Sequence, residues 1–582
     1  MADYEIKDIY QGGYSSFKSN YGDSFIGYHI PAGSLGITTD PRVADVLTEV
    51  NQKMAPGGKI IELALIQPEI FDSIPKQHLK EINRLAKLTG VDVTVHGPLI
   101  EPSGITKEGY SNSNREAAER QMLMAVERAS EINPDGSSPV TFHSSAILPG
   151  KEITKTKDGE KVTGMLIINS ESGSINQIKL KERFFPGETD VSIEKELGKA
   201  NEDAWSQQLT HLSYSTERAS DFIRQSGALA ILAEAEKKLG KQLEPVKENA
   251  IQSFNIGKNY LNDSYRELKE MCDIAYKNSS PENKDILKSL YNEIETKAEQ
   301  IKKDPKSSES VTLRQEIIKE GIETLGRIPI PQIYKPLDEF SREKTATTFG
   351  DVAFDAYKKF KDKTPIICIE NPPIGTAFSR AEDLKGIVET ARDKFVERAV
   401  KEGMSENEAE KQAEKLIGVT WDVGHINMLR KHGFNEEDIV KETEKVAKFV
   451  KHVHLSDNFG FEHTELPMGM GNVPIKDIMN KLGEAGYEGK KIIEAANWWQ
   501  HFKTSPVGES LKAMGSPIYS MQMGPYWNQY LGLHQGYFSG YGEMLPSVNY
   551  STWGAGFSQL PMEIGGQMPG QQGSRFSGKG ME

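Results

Sequence analysis

The feature that most limits how this chain can fold is a rhythm. Short apolar runs alternate with helical stretches over residues 24–145, and again over 364–497. "SFIGYHI" (24–30), "KIIELAL" (59–65), "VDVTVHG" (91–97) and "SPVTFHSS" (138–145) read as strands. Between them, segments 41–54, 76–90 and 114–132 carry apolar residues at helical spacing. The later strands are "TPIICIEN" (364–371), "IGVTWDVGH" (417–425), "KHVHLSD" (451–457) and "KKIIEAAN" (490–497). Helical text runs to about 416, and further helices fall at 435–450 and 474–486.

Strands that are apolar throughout need cover on both faces, which a helix after each parallel strand provides. Eight such units, four before residue 150 and four after 345, predict an α/β fold, a (β/α)8 TIM barrel. A doubly wound sheet is the alternative, and eight units overfill it. The rhythm breaks over 150–345, predicting a large, mainly helical insertion after strand 4. Residues 151–180 alternate and contain Asp158-Gly159, which predicts a β-hairpin. Residues 200–325 carry periodic apolar positions, which predict a helical bundle or hairpin. The expected domains are therefore 1–149 and 346–514 (the two half-barrels), 150–345 (the insertion) and 515–582. The last is a Gly-, Gln-, Met- and aromatic-rich low-complexity tail, expected to be disordered.

With 12 histidines and only two cysteines, Cys272 and Cys368, without neighbours at ligand spacing, any metal must be held by imidazoles and carboxylates. The net charge of −14 weighs against nonspecific nucleic-acid binding unless basic residues gather at one cleft. No apolar run approaches the ~20 residues of a membrane span. The N-terminus, "MADYEIKDIYQGGYSS", lacks the basic-then-apolar layout of a signal peptide. We therefore expect a cytoplasmic protein with no membrane partner.

In such a barrel the functional face lies at the C-terminal ends of the strands. The third strand ends in His96, the fourth in His143 and the fifth in Glu370. The sixth ends in Asp422 with His425 just beyond, and the seventh in His454. The following loop carries His463 and Glu465, and the eighth strand ends in Glu494. A lone histidine after a strand is usually a hydrogen-bonded structural residue, and a buried carboxylate usually pairs with a lysine or caps a helix. Nine polar groups on one rim would need nine such explanations, whereas a metal centre needs one. Four carboxylates and five imidazoles exceed what one ion binds, so two or three ions fit better. Ions sharing a carboxylate can activate water and stabilise both oxygens of a phosphoryl displacement.

The motifs "VHGP" (95–98), "FHSS" (142–145), "IEN" (369–371), "WDVGH" (421–425), "HLSD" (454–457), "ELPMGMG" (465–471) and "IIEAAN" (492–497) carry a family resemblance. In order and strand placement they resemble the endonuclease IV and xylose isomerase-like barrels, the second AP-endonuclease family. The resemblance covers about 25–150 and 350–500, not the insertion or the tail. It implies a trinuclear zinc cluster, with Mn2+ as the other candidate ion. His96, His143 and Glu370 would hold one ion. Glu370 would bridge to a second shared with Asp422, His454 and Glu494. His425 and the loop after the seventh strand would hold the third. That loop reads Asp-x-His in endonuclease IV, and here His463-Thr464-Glu465, with imidazole and carboxylate exchanged. Leu99 and Ile100 also stand where endonuclease IV carries an aromatic near the DNA.

The resemblance implies a zinc-dependent hydrolase that cleaves DNA 5′ to abasic sites in base-excision repair. Glu370 would bridge ions and Glu494 would bind or orient the nucleophilic water. The alternative is a divalent-metal sugar isomerase or epimerase, holding one ion with Glu370, Asp422, His454 and Glu494. Against it, His96, His143, His425 and His463 would have no task there, and no lysine or arginine occurs between Lys451 and Lys476. A third reading is a non-enzymatic scaffold that binds partners through the insertion and tail.

Overall fold

The computed structural model describes residues 34–54, 59–136, 138–156, 159–180, 192–240, 242–279, 281–305 and 307–495, with single positions 498, 506 and 510. The chain divides into two compact units. One runs up to Thr163 and resumes at Asp338; the other is Gly164–Leu337.

The first unit is a closed barrel of eight parallel strands, as the rhythm predicts. Before residue 150 its strands are β1 (Leu35–Thr38), β2 (Ile60–Ala64), β3 (Asp92–His96) and β6 (Pro139–His143). Two tiny strands, β4 (Ile105–Thr106) and β5 (Gly109–Tyr110), form a turn between β3 and β6. β7 (Glu152–Thr156) and β8 (Gly159–Asn169) follow, then β9 (Ile175–Lys179) and β10 (Tyr334–Pro336). The barrel resumes with β11 (Ile366–Glu370), β12 (Ile417–Asp422), β13 (Val450–Leu455) and β14 (Lys490–Ile493). Their order around the barrel is β1-β14-β13-β12-β11-β6-β3-β2, so β1 against β14 closes it. The seam is tight: a Cβ on Gly36 would lie 2.4 Å from the Ile492 side chain.

The first strand differs from the sequence reading. The strand expected over 24–30 lies outside the described residues, as does the tail 515–582. The barrel uses Leu35–Thr38 instead. That strand has four residues, one of them Gly36, too few for a periodic signal.

The covering helices follow their apolar stripes. Ala381–Lys401 buries Leu384, Ile387, Val388, Ala391 and Phe395, spaced three or four apart on one face. Lys76–Thr89 buries Leu79, Ile82 and Ala86 and stops at Gly90, whose φ of 66° supplies the left-handed cap. Glu436–Val446 begins with a capping box between Asn435 and Asp438.

The expectation of strands apolar on both faces needs correcting. Outward positions are apolar, such as Ile61, Leu63, Val93 and Val95, all buried under helices. Inward positions are polar. Thr141 on β6 and Thr420 on β12 share a hydrogen bond of 2.8 Å, although β11 lies between their strands. Glu62 on β2 and His452 on β13 meet at 2.8 Å across the barrel. Only inward side chains can make such contacts, and Glu62, Thr94, Thr141, Thr420 and His452 are all fully buried. Period-2 alternation then sends His96, His143, Asp422 and His454, two positions further on, into the same interior nearer the mouth.

In the insertion, β7 and the start of β8 form the hairpin expected near Asp158-Gly159, with Thr163 Oγ1 donating to the Glu152 carbonyl at 3.4 Å. In the second unit, β8 pairs antiparallel with β9 and with the distant β10. The helices Ile193–Lys238, Pro245–Asn278, Pro281–Lys303 and Ser308–Leu325 form the rest of that unit. Trp205, Leu212, Leu261, Leu268, Met271 and Ile318 are part of its apolar core. No described helix is long and apolar enough to cross a membrane.

Candidate metal centre

Glu370 is the hub. It ends β11 and is fully buried. Its Oε2 lies 3.0 Å from His96 Nε2 and 3.3 Å from His143 Nε2. Its Oε1 lies 2.7 Å from His454 Nδ1. One carboxylate thus faces two separate imidazole sets with its two oxygens. His454 Nδ1 also lies 3.1 Å from Glu494 Oε2. Ligand atoms of Glu370, Asp422, His454 and Glu494 all fall within 4.8 Å of one another, as do those of His96, Glu370 and His454.

Asp422 has two jobs. Its Oδ1 caps the short helix Val423–Asn427 by accepting from the His425 backbone N–H at 2.8 Å. Among the described residues its Oδ2 is buried with no hydrogen-bond partner, while Glu494 Oε2 has the His454 Nδ1 contact at 3.1 Å, out of line for a hydrogen bond. Asn371 locks the strand end. Its side chain donates to the Asp422 carbonyl at 2.9 Å and accepts from the Asp422 N–H at 2.8 Å.

The remaining predicted residues join this group. The His143 and His425 ring centroids are 5.9 Å apart. His425 Nε2 lies 2.8 Å from His463 Nε2, and His463 Nε2 lies 3.6 Å from Glu465 Oε1. The structure therefore brings all nine predicted positions into one connected cluster at the mouth of the barrel. The loop that delivers His463 and Glu465 is organised by Asp457, whose carboxylate accepts from the N–H groups of Gly469 and Val473. Asp457 and Leu466 also exchange two backbone hydrogen bonds of 2.8 Å. Glu465 has a φ of 46°, a strained conformation for a residue with a side chain. Gly471 is forced by crowding, since a Cβ there would lie 2.3 Å from Asp457 Oδ1.

The rings are held from behind. His96 Nδ1 faces the Gly97 carbonyl at 3.0 Å, and His425 Nδ1 faces the Asn371 carbonyl at 2.7 Å. Each backbone contact assigns the proton to Nδ1 and leaves Nε2 for the cluster.

The electrostatics describe a pocket short of positive charge. Burial pushes Glu370 up, but His454 and His143 outweigh it and hold the carboxyl well below its ordinary range. Glu494 is drawn down to about 2 by His454 against the same burial. Asp422 goes the other way, raised well above its usual value by burial and by the charges of Glu494 and Glu370. Burial disfavours a charged His96, yet Glu370 lifts it to about 9, and His454 is raised for the same reason. His425 is lowered to about 3 by burial and by His463. The shifts run in the direction that takes up protons at His96, His454 and Asp422, the positive charge that cations would otherwise bring.

Cations fit these residues. The donors are imidazole nitrogens and carboxylate oxygens, the set that suits zinc or manganese in the absence of thiols. Asp422 Oδ2, without a hydrogen-bond partner among the described residues, and Glu494 Oε2, without an aligned one, are acceptors that a cation would satisfy.

Sequence reading missed Glu62, His452, Thr94 and Asn371. Glu62 accepts from His452 Nε2 at 2.8 Å and from the Thr94 hydroxyl at 2.9 Å, and its Oε1 lies 3.0 Å from His454 Nε2. A signal did exist: His452 and His454 stand two apart on one strand and must share a face.

Residues 341–514 match the model of a family described as xylose isomerase-like TIM barrel. An uncharacterized protein of Methanocaldococcus jannaschii is 34% identical over 83 residues, which is 14% of this chain and 27% of that protein. The match therefore spans about a quarter of that relative's length. Among solved structures, a D-tagatose 3-epimerase-like protein aligns at 13% identity and TM-score 0.35, covering 84% of this chain and 100% of its own. D-psicose 3-epimerase from Clostridium cellulolyticum H10 aligns at 9% identity and TM-score 0.36, covering 84% and 99%. An L-ribulose 3-epimerase aligns at 9% and TM-score 0.36, covering 85% and 96%. Likenesses this distant say nothing about activity. The stretch that matches the xylose isomerase-like TIM barrel family, residues 341–514, includes Glu370, Asp422, His425, His454 and Glu494.

Proposed function

We propose that the barrel mouth is the active site of a metal-dependent phosphodiesterase that hydrolyses DNA 5′ to abasic sites. The observation that carries this reading is the division of Glu370. Its Oε2 faces His96 and His143 while its Oε1 faces His454, the posture of a carboxylate shared between two ions. His96, His143 and Glu370 would hold one ion, and Glu370, Asp422, His454 and Glu494 a second. His425, His463 and Glu465 would hold a third. Zinc is the proposed metal, in two or three copies, with manganese as the alternative.

Such ions supply Lewis-acid stabilisation to a phosphoryl group and make water more acidic. The chain's own residues supply placement. The Glu494 side chain is 20% exposed while those of Glu370, Asp422 and His454 are sealed, so it is the carboxylate that can meet a water entering from the mouth. Its depressed pKa keeps it ionised at neutral pH, ready to orient that water through a hydrogen bond. Phe461, 67% exposed on the loop that carries His463, offers a face on which a nucleobase can stack. An abasic nucleotide costs little to rotate out of the duplex, because no base pair has to be broken. The test is to incubate zinc-loaded protein with a duplex containing one abasic site. Full metal content without nicking would remove this reading.

One observation favours a second reading, a sugar isomerase or epimerase. Glu370, Asp422, His454 and Glu494 by themselves form a compact set for a single ion. Elemental analysis separates the two: one ion per chain supports the sugar enzyme, and two or three support the phosphodiesterase.

A further inference from the structure

His96 and His425 are each fixed from behind by a backbone carbonyl, but His454 is not. Behind it stands Glu62, from β2, with β14 and β1 between their strands. Glu62 Oε1 and His454 Nε2 face each other at 3.0 Å, and both atoms are buried with no hydrogen-bond partner. They have only each other, in an alignment short of a finished hydrogen bond. Glu62 is in turn fixed through its other oxygen by His452 Nε2 at 2.8 Å and the Thr94 hydroxyl at 2.9 Å. Glu62, His452 and His454 are all fully buried.

We infer that Glu62 is a positioning residue. It orients His454 and fixes its tautomer so that Nδ1 is presented to an ion at Glu370, Asp422 and Glu494. This rests on the metal-centre part of the proposed function and on neither candidate substrate. A neutral imidazole has one lone pair and one N–H. If Nδ1 is the ligand, Nε2 must carry the proton, and a buried N–H needs an acceptor. Glu62 Oε1 is the acceptor within reach. A carboxylate in that place also makes the ring a stronger ligand.

The same geometry speaks against Glu62, His452 and His454 holding an ion of their own, although their ligand atoms lie within 4.8 Å of each other. His454 would then need lone pairs on both nitrogens. Glu62 Oε2 is already taken up by two donors.

The test uses the full chain and measures zinc affinity by competition with a chromogenic chelator. Two variants are compared, Glu62→Leu, which removes the acceptor, and Glu62→Gln, which restores a neutral one. The expected result is a roughly 10–100-fold weaker affinity for one ion in the leucine variant. The glutamine variant should fall between that and the parent, with the remaining ions held as in the parent. A role confined to packing would change the melting temperature of the metal-free protein and leave the affinities alone. Both variants binding every ion at parental affinity would overturn the inference.

If the leucine variant does not fold, the cobalt-loaded parent protein decides. Its proton NMR spectrum should show a hyperfine-shifted, slowly exchanging imidazole N–H from the buried His454. A retained but shifted, faster-exchanging resonance in Glu62→Gln, whose amide oxygen still accepts, supports the inference; its absence from the parent, or an unchanged resonance in the variant, overturns it. A parent that binds ions but cuts no abasic DNA removes the substrate reading and leaves this inference standing. A parent that binds no ion removes both.

Discussion

His425 and His463 bring their Nε2 atoms to 2.8 Å, across 38 residues of chain. Two imidazole nitrogens that close share a proton, one ring donating and the other accepting. His425 is held neutral, with its own proton committed to the Asn371 carbonyl. His463 also sits below the ordinary histidine value, chiefly through burial. His425 Nε2 is therefore the acceptor and His463 Nε2–H the donor, and a cation bound by both would take that proton's place.

The first prediction concerns that pair. His463→Ala should lower the zinc content by one ion per chain. It should leave the ions at Glu370 in place, because the hydrogen-bond contact of His463 is with His425 and not with that carboxylate. The His463 side chain is 31% exposed, so folding should change little. Elemental analysis beside a thermal melt checks both halves, and unaltered zinc content would contradict the third-ion assignment.

The role given to Glu494 predicts a kinetic defect rather than an empty site. Glu494→Gln keeps a ligand oxygen but cannot take up a proton from water. At saturating zinc, nicking of abasic DNA should fall by about 10²–10⁴-fold. Metal content measured on the same sample should remain near the parent's.

The raised pKa of His96 sets a pH window for the metal-free protein. Its value is about 9 in the fold against an ordinary 6.5. A group raised in this way contributes stability that is complete below pH 6.5 and is lost as pH climbs through about 9. With chelator present, the melting temperature should therefore decline across that window. With zinc present the decline should vanish, because the ion replaces the proton. A flat profile in chelator would show that His96 is not protonated in the fold.

Gly471 tests the loop. A methyl group there meets Asp457 Oδ1 at 2.3 Å and the Asn458 carbonyl oxygen at 2.4 Å, and both residues are buried. Gly471→Ala should cost about 1–3 kcal/mol, read from denaturant melts. It should also weaken the ion at His463 and Glu465, since Asp457 positions their loop. A neutral substitution would mean the loop relaxes without loss.

Much of this was legible in the sequence because polar residues at the ends of apolar strands are conspicuous. His96, His143, Glu370, Asp422 and His454 each terminate such a run, and the barrel rule says where those ends meet. Glu62 was not legible for a converse reason. Inside "KIIELAL" a single acid reads as an ordinary solvent-facing position of a strand. Only the barrel's closure shows that it faces His452 and His454. β1 and β10 were illegible for want of length, having four and three residues. Strand pairing across 165 residues, as between Tyr334 and Asn169, leaves no local trace at all.

Glu62, His96 and His143 are encoded ahead of the unit Gly164–Leu337, while Glu370, Asp422, His454 and Glu494 come after it. A ribosome making this protein releases one side of the pocket long before the other. Until β14 has emerged and docked on β1, a nascent chain would offer the proposed ions only fragments of a binding set. Ions held by the proposed set would tie β3 and β6, made before that unit, to strands made after it, so that loading would have to wait for the second half-barrel.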